Sequence, residues 1–359
     1  MELINDTRLL AGYSMGLEPS GRELLVVVIK GTFVLPRSGE EPRLHEQQVP
    51  LVMADTFTGE PGFSAPAHEV DFAPRKLGCD VLLLGRARAP GGRPVTRMEV
   101  GLRVGSMAKV CNVVGNRVWQ AGLSGISASA PSAFTEMAVS YDVAFGGTDR
   151  HSENPAEHDA YLLNPVGRGW HKHLKNGWVD GQPLPNTEEP GRAVTAPGDR
   201  RTPMAFGPLG RGWSSRARYA GTYDQKWLDD VCPFLPGDFD ERYYQAAPAD
   251  QQISLPSGPL EVVLSGFTDD GLRRFKLPHF EAPVYVFPKR AEPEDYIARM
   301  DTVVFEPDHD RFTMSWRVSR PLKKSLHEIE QVLVGRKSDL WWREQTVKRE
   351  GATLTPVSD

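Results

Sequence analysis

Four histidines fall between residues 151 and 173, namely His151, His158, His171 and His173, beside Asp149, Glu153, Glu157 and Asp159. Imidazole and carboxylate together are the usual ligands of zinc and a common acid–base pair. A metal site would want two ligands on one helix face, or His-x-His on a strand with a third ligand supplied elsewhere. His171-Lys172-His173 has such spacing, and the sequence identifies no partner for it. The expectation is therefore loop histidines at a solvated surface, with no metal and no cofactor.

Carboxylates offer a second chemistry. Asp238 and Asp240 flank Phe239, with Asp224, Asp229 and Asp230 just upstream. A glycosidase places two carboxylates across an aromatic pocket, which makes a hydrolase of cell-wall sugar or peptide the alternative reading. Capping of turns and pairing with Arg216, Arg218 and Arg242 explain the same spacing without a substrate. Nucleophile motifs are missing: Gly122-Leu123-Ser124-Gly125 has the wrong spacing for a nucleophile elbow, and Ser127 and Ser129 lie in a small-residue connector. Cys79, Cys111 and Cys232 are far apart, in no Cys-x-x-Cys spacing, and suit a reducing compartment. Gly167-Arg168-Gly169 and Gly207 to Gly212 lack the Lys-Ser/Thr of a phosphate loop. No catalytic residue is assigned.

The elements that position these groups are unusual between Tyr141 and Gln251. Residues 141–250 hold 13 Gly and 11 Pro, which disfavours long helices and a regular central sheet. Four of the chain's eight tryptophans, Trp170, Trp178, Trp213 and Trp227, are there too, whereas a disordered linker is poor in aromatics. The stretch reads as ordered, irregular and loop-built. Asp224 is expected to cap a turn holding Trp227 and Leu228, and Asp238 with Glu241 has capping-box spacing.

On either side the pattern is β. Strands are expected at Leu24–Leu35, Val70–Phe72, Cys79–Arg88 and Thr96–Val104, with a hairpin of Val110–Val114 and Arg117–Trp119 about Gly115-Asn116. Gly122–Ser132 reads as a connection. The last third predicts strands at Leu260–Leu264, Arg273–Leu277, Val284–Pro288, Thr302–Glu306 and Arg311–Ser319, the last with one buried face. Ser325 and Glu328 then suggest a capping box, and Leu326, Ile329, Val332 and Leu333 an apolar helical stripe up to Gly335. Trp341-Trp342 is expected to fold back onto the sheet, and the tail from Gly351 to fray. The fold class is thus mainly β: a β-sandwich or rolled antiparallel sheets flanking a Gly/Pro/Trp-rich irregular region, with one C-terminal helix. The divisions are 1–130, 131–252 and 253–350, the first and last able to form one composite domain.

The net charge of −5 and pI near 6.0 argue against a general nucleic-acid binder. The start MELINDTRLLAGYSMG lacks a basic region followed by an apolar run, and the longest aliphatic run, Leu24–Ile29, cannot span a bilayer. A cytoplasmic protein without membrane insertion is expected.

Ordered motifs across the middle carry a resemblance. They are Tyr141, then Ala144-Phe145-Gly146-Gly147-Thr148-Asp149, Asn164-Pro165-Val166-Gly167-Arg168-Gly169, and Leu184-Pro185-Asn186. They continue through Phe206-Gly207-Pro208, Trp213 with Arg216, Ala220-Gly221-Thr222-Tyr223-Asp224 with Trp227, Pro236 with Asp238-Phe239-Asp240, Ala246-Ala247-Pro248 and Asp250-Gln251. The strand-rich flanks, including Lys30 to Phe33 and Trp316-Arg317, also fit. The chain resembles the bacterial domain-of-unknown-function family 2169, whose members accompany type VI secretion spike and effector proteins.

The resemblance implies an adaptor or chaperone, not an enzyme, that helps load an effector with a PAAR-like region onto the trimeric spike. The signature residues, with Arg242, are then candidate binding positions. The residue after Tyr141 is Asp142, a mild departure, and there is no appended pentapeptide-repeat array, so the shared domain is expected to act alone.

Overall fold

Every residue from Leu24 to Ile29 is fully buried in the strand Glu23–Val34, which explains an apolar run without alternation. Leu25, Val27 and Ile29 face the main core, while Leu24, Val26 and Val28 lie under Leu51 and Phe72. The computed structural model describes residues 1–123, 125–343 and 345. Ser124 and the tail expected to fray from Gly351 lie outside the described residues.

Strand Glu23–Val34 pairs antiparallel with Leu10–Leu17 on one side and Arg311–Pro321 on the other. The sheet continues through Glu294–Glu306, Ala282–Pro288 and Ile329–Val334 to Glu2–Asn5, whose pairing is parallel. Past a bulge at Met300–Thr302, the second half of Glu294–Glu306 takes Cys79–Leu83 as a parallel neighbour. Gln252–Ile253 then pairs with Cys79–Leu83. Segments 1–130 and 253–350 therefore interleave in one sheet.

A second sheet runs Thr187–Glu188, Met107–Val114, Arg97–Val104, Glu261–Ser265 and Leu272–Lys276. Strand Arg97–Val104 alternates as expected, with Val100, Leu102 and Val104 buried and Arg97, Glu99 and Arg103 exposed. The inward faces of both sheets share one core, from Val27, Phe305 and Phe312 on one side to Leu102, Leu264 and Phe275 on the other. The mainly β, sandwich-like class read from the sequence is the one the chain adopts.

The capped apolar stripe after Ser325 is a single 3-10 turn, Leu326–Glu328, followed by strand Ile329–Val334. Val332 to Val334 are buried because neighbouring strands flank them on both sides. The C-terminal helical turns come later, at 339–343. From there Trp342 reaches Tyr285 and Phe287 (ring centroids 4.8 and 5.8 Å), so the expected return of the tryptophans to the sheet holds.

No hairpin forms at Gly115-Asn116. Met107–Val114 pairs back onto Arg97–Val104, and Trp119–Gly122 pairs with Gly125–Ala128 inside the supposed connection. The chain passes so closely at Gly115 that a Cβ would stand 1.7 Å from the Ser132 carbonyl oxygen. Cys79–Arg88 splits into Cys79–Leu83 and Arg86–Arg88, because the second piece changes partner to Glu136–Ala138. Residues 70–72 form no strand; Asp71 instead ties that segment down through Lys30 (2.9 Å) and the Val52 amide (2.7 Å).

Arg311–Pro321 is buried on both faces rather than one. Its polar face is covered because Arg317 meets Asp301 (2.6 Å) and donates to the carbonyls of Asp71 and Ala73. The strands Glu2–Asn5 and Leu10–Leu17 were not anticipated.

Candidate functional site

Most of the signature residues between Tyr141 and Gln251 hold the fold together. Gln251 is fully buried and bridges the sheets: its amide donates to the carbonyls of Val81 (2.7 Å) and Phe206 (2.9 Å), and its oxygen accepts from Lys109 (2.8 Å). Asp250, exposed, accepts from the same lysine (3.2 Å). Buried Asp80, which the sequence reading passed over, takes Lys76 (2.7 Å), the Gln245 amide (2.8 Å) and the Ala246 N–H (2.8 Å). These bonds fasten the irregular region to the sheet and satisfy the buried Asp80, Gln245 and Gln251 side chains.

Asn164 and Asn186 act as internal staples. Asn164 donates to the carbonyls of Tyr141 (2.9 Å) and Phe145 (3.1 Å), and Asn186 to the Val114 carbonyl (2.9 Å) and the Asn116 side-chain oxygen (3.1 Å). Gly146, at φ 145°, lies so close to the next loop that a Cβ would stand 2.2 Å from the Asn164 carbonyl oxygen. Gly147 and Gly167 close the same crossing, and Gly169 lies against Pro185. Glycine near Arg168 thus serves close backbone approach.

Phe206 is buried and edge-on to Phe267, with Gly207 beside it in the same buried segment. Trp213 packs edge-on against Tyr141 (5.1 Å), so this tryptophan belongs to the interior. Arg216 is buried too; it pairs with Glu69 (2.6 Å) rather than with the aspartates expected for it, and donates to the carbonyls of Leu209 and Tyr243.

The aspartates that suggested hydrolysis are capping and bracing groups. Asp224 accepts the Trp227 N–H (2.8 Å) and caps helix Gln225–Asp230, as its sequence implies. Asp240, not Asp238, caps the turn Glu241–Tyr244, and it pairs with Arg242. Asp238 accepts from the Thr222 N–H (2.9 Å) and hydroxyl (2.7 Å), across the turn where Gly221 has φ 83°. Those bonds hold the Asp238 carboxyl below the ordinary range, and Arg242 does the same for Asp240. A glycosidase acid needs the opposite shift. Burial pushes the Cys111 thiol up to about 12, away from an activated thiolate.

Beside exposed polar groups such as Asp224, Gln225, Lys226 and Asp229, this segment also exposes apolar side chains. Tyr223, Leu228 and Phe234 are exposed and Trp227 is half-buried, while Phe239 lies underneath, buried against Tyr244. Trp227 donates its indole N–H to the Phe234 carbonyl (2.9 Å) and meets Tyr223 edge-on at 4.7 Å. A capped helix and an internal hydrogen bond therefore fix an aromatic surface in place.

The histidine-rich segment assembles a cluster that its sequence did not disclose. Asp149, buried, accepts from the N–H groups of Lys172 (3.0 Å) and His173 (2.8 Å) and lies 3.1 Å from His173 Nδ1. His151 stacks on His173 with ring centroids 3.6 Å apart. His171 Nδ1 is 4.0 Å from Asp149; burial pushes its imidazole pKa down, and Asp149 opposes that. His158 turns away to the Ser152 carbonyl (2.7 Å). Asp149 also lines a cleft of about 600 Å³ with Trp170, His171 and Trp178. The signal available was the pair of alternations Asp149-x-His151 and His171-x-His173, which no local rule joins across the intervening loop.

A family model described as an uncharacterized protein conserved in bacteria (DUF2169) matches residues 20–317. No curated protein and no solved structure matches the chain.

Proposed function

Because the chain belongs to the bacterial DUF2169 family, we propose that it is a cytoplasmic adaptor that binds a type VI secretion effector through a PAAR-like N-terminal region and assists its loading onto the spike. The observation that carries a binding role is the fixed aromatic surface of Tyr223, Trp227, Leu228 and Phe234. Side chains ordered before binding lose little entropy when a partner covers them, and aromatic groups dominate such contacts. Asp224 and Asp238 support the same reading, since each is bonded within that segment, and Asp240 is occupied in capping the next turn. The secretion context and the client come from the family resemblance.

The test is co-expression with effectors encoded beside the gene. The wild-type protein co-purifies in stoichiometric amount with an effector's N-terminal region. A Tyr223→Ala/Leu228→Ala double variant keeps its melting temperature and loses the effector. Failure to capture any neighbouring effector, or undiminished capture by the double variant, sinks the proposal. An Asp238→Asn protein that kept its fold but lost turnover of cell-wall material would support the hydrolase instead.

A further inference from the structure

We propose that Asp149, His151 and His173 bind a divalent transition-metal ion of the zinc class. One ligand atom from each residue lies within 4.8 Å of the others. Tetrahedral nitrogen and oxygen ligands at zinc distances stand about 3.3 Å apart. The Asp149 Oδ2–His173 Nδ1 pair, at 3.1 Å, already has that spacing. The other separations, at most 4.8 Å, close to that spacing when the His151 ring, stacked on His173, turns toward the ion.

The surroundings are those of a prepared site. Asp149 is held by two backbone N–H groups, from Lys172 and His173, so its carboxylate is oriented before any ion arrives. Its strand, Thr148–Asp149, is itself paired to Asp159–Ala160. Independently, His151 Nδ1 and His171 Nδ1 are buried ring nitrogens without a hydrogen-bond partner among the described residues. Buried polar atoms left unpaired are costly, and coordination satisfies one directly. Trp178 sits 5.7 Å from His151 and 6.3 Å from His173 (ring centroids), covering the cluster with an aromatic group.

Ligand chemistry selects the ion. Two imidazoles and one carboxylate suit zinc and its neighbours, whereas calcium and magnesium prefer all-oxygen shells. Three protein ligands leave one position of a tetrahedral ion open, and Asp149 places that ion at the wall of the cleft.

The experiment uses the full chain without a polyhistidine tag, stripped with chelator. Zinc chloride is titrated by calorimetry, and cobalt(II) chloride by visible absorption. The expected result is one equivalent bound, a raised melting temperature, and affinity at least tenfold weaker in His151→Ala and His173→Ala. His327→Ala binds as wild type. Should the alanine variants fail to fold, ring-nitrogen NMR of the unmutated protein decides. Zinc must then shift the His151 and His173 resonances and spare those of His327. Equal zinc binding by the folded alanine variants, no binding by wild type, or unshifted His151 and His173 resonances overturns the site.

Discussion

Asn164 shows what single residues do in this molecule. Its side-chain amide donates to two buried carbonyls, those of Tyr141 and Phe145; the Ala144 N–H also reaches the Tyr141 carbonyl, at 3.3 Å. Asn164→Ala is expected to lower stability by about 1–3 kcal/mol, because the buried Phe145 carbonyl loses its amide donor. Urea unfolding measures it, and a loss below about 1 kcal/mol contradicts the staple role. Glu306 carries a pH dependence. Burial pushes its carboxyl up, but hydrogen bonds from His68 and Arg311 outweigh that and bring it down to about 2. A depressed carboxyl contributes stability above its unfolded value of 4.5, and loses it as pH falls toward 2. The expected contribution is on the order of 3 kcal/mol, and Glu306→Gln flattens that acid limb in stability-versus-pH curves. At this scale local chemistry was legible where it was local: the Asp224 cap was read correctly, while Asp238 and Asp240 were confused by two positions. Gln251 and Arg216 stood out as motif residues, yet their partners Lys109, Val81 and Glu69 lie too far along the chain for spacing to reveal.

Elements were legible where propensity and burial agree. The strands Glu23–Val34 and Arg97–Val104 carry their own signals, a β-branched run and a clean alternation. Residues 325–335 carry two signals that conflict. Leu326, Ile329, Val332 and Leu333 fit a helical stripe, but strand pairing on both sides of Ile329–Val334 decides the outcome. The helix Gln225–Asp230 is the contrary case, short and with no residue buried, so its cap matters more than its packing. Asp224→Ala is expected to cost about 1 kcal/mol locally. Amide exchange in 225–231 should quicken several-fold while the global melting temperature barely moves. Client capture by the Tyr223–Trp227 surface should weaken in parallel, since its rigidity depends on that cap. Unchanged exchange would show that the Trp227–Phe234 hydrogen bond alone holds the helix.

At the scale of the molecule, chain order and spatial order diverge. Strand Glu23–Val34 needs Arg311–Pro321 beside it, and Cys79–Leu83 needs Thr302 to Phe305, so the first and last thirds complete one sheet. Gln252–Ile253, at the end of the irregular region, seals the other edge of Cys79–Leu83. Sequence patterns give the class of such a fold but not its register, because the partners lie far apart in the chain, from Gln252 opposite Asp80 to Pro321 opposite Leu24. A fragment comprising 1–252 leaves the apolar run Leu24–Ile29 with Leu10–Leu17 but without Arg311–Pro321, and uncovers the core face of Val81 and Leu83. It is expected to be unfolded or aggregated, with rapid proteolysis throughout, whereas co-expression with 253–359 restores a protease-resistant complex. Near-ultraviolet circular dichroism and limited proteolysis read both states. A fragment 1–252 that folded cooperatively by itself would mean that the interleaved sheet is dispensable. The aromatic surface near Trp227 would then belong to an independent module, able to capture its client without the last third of the chain.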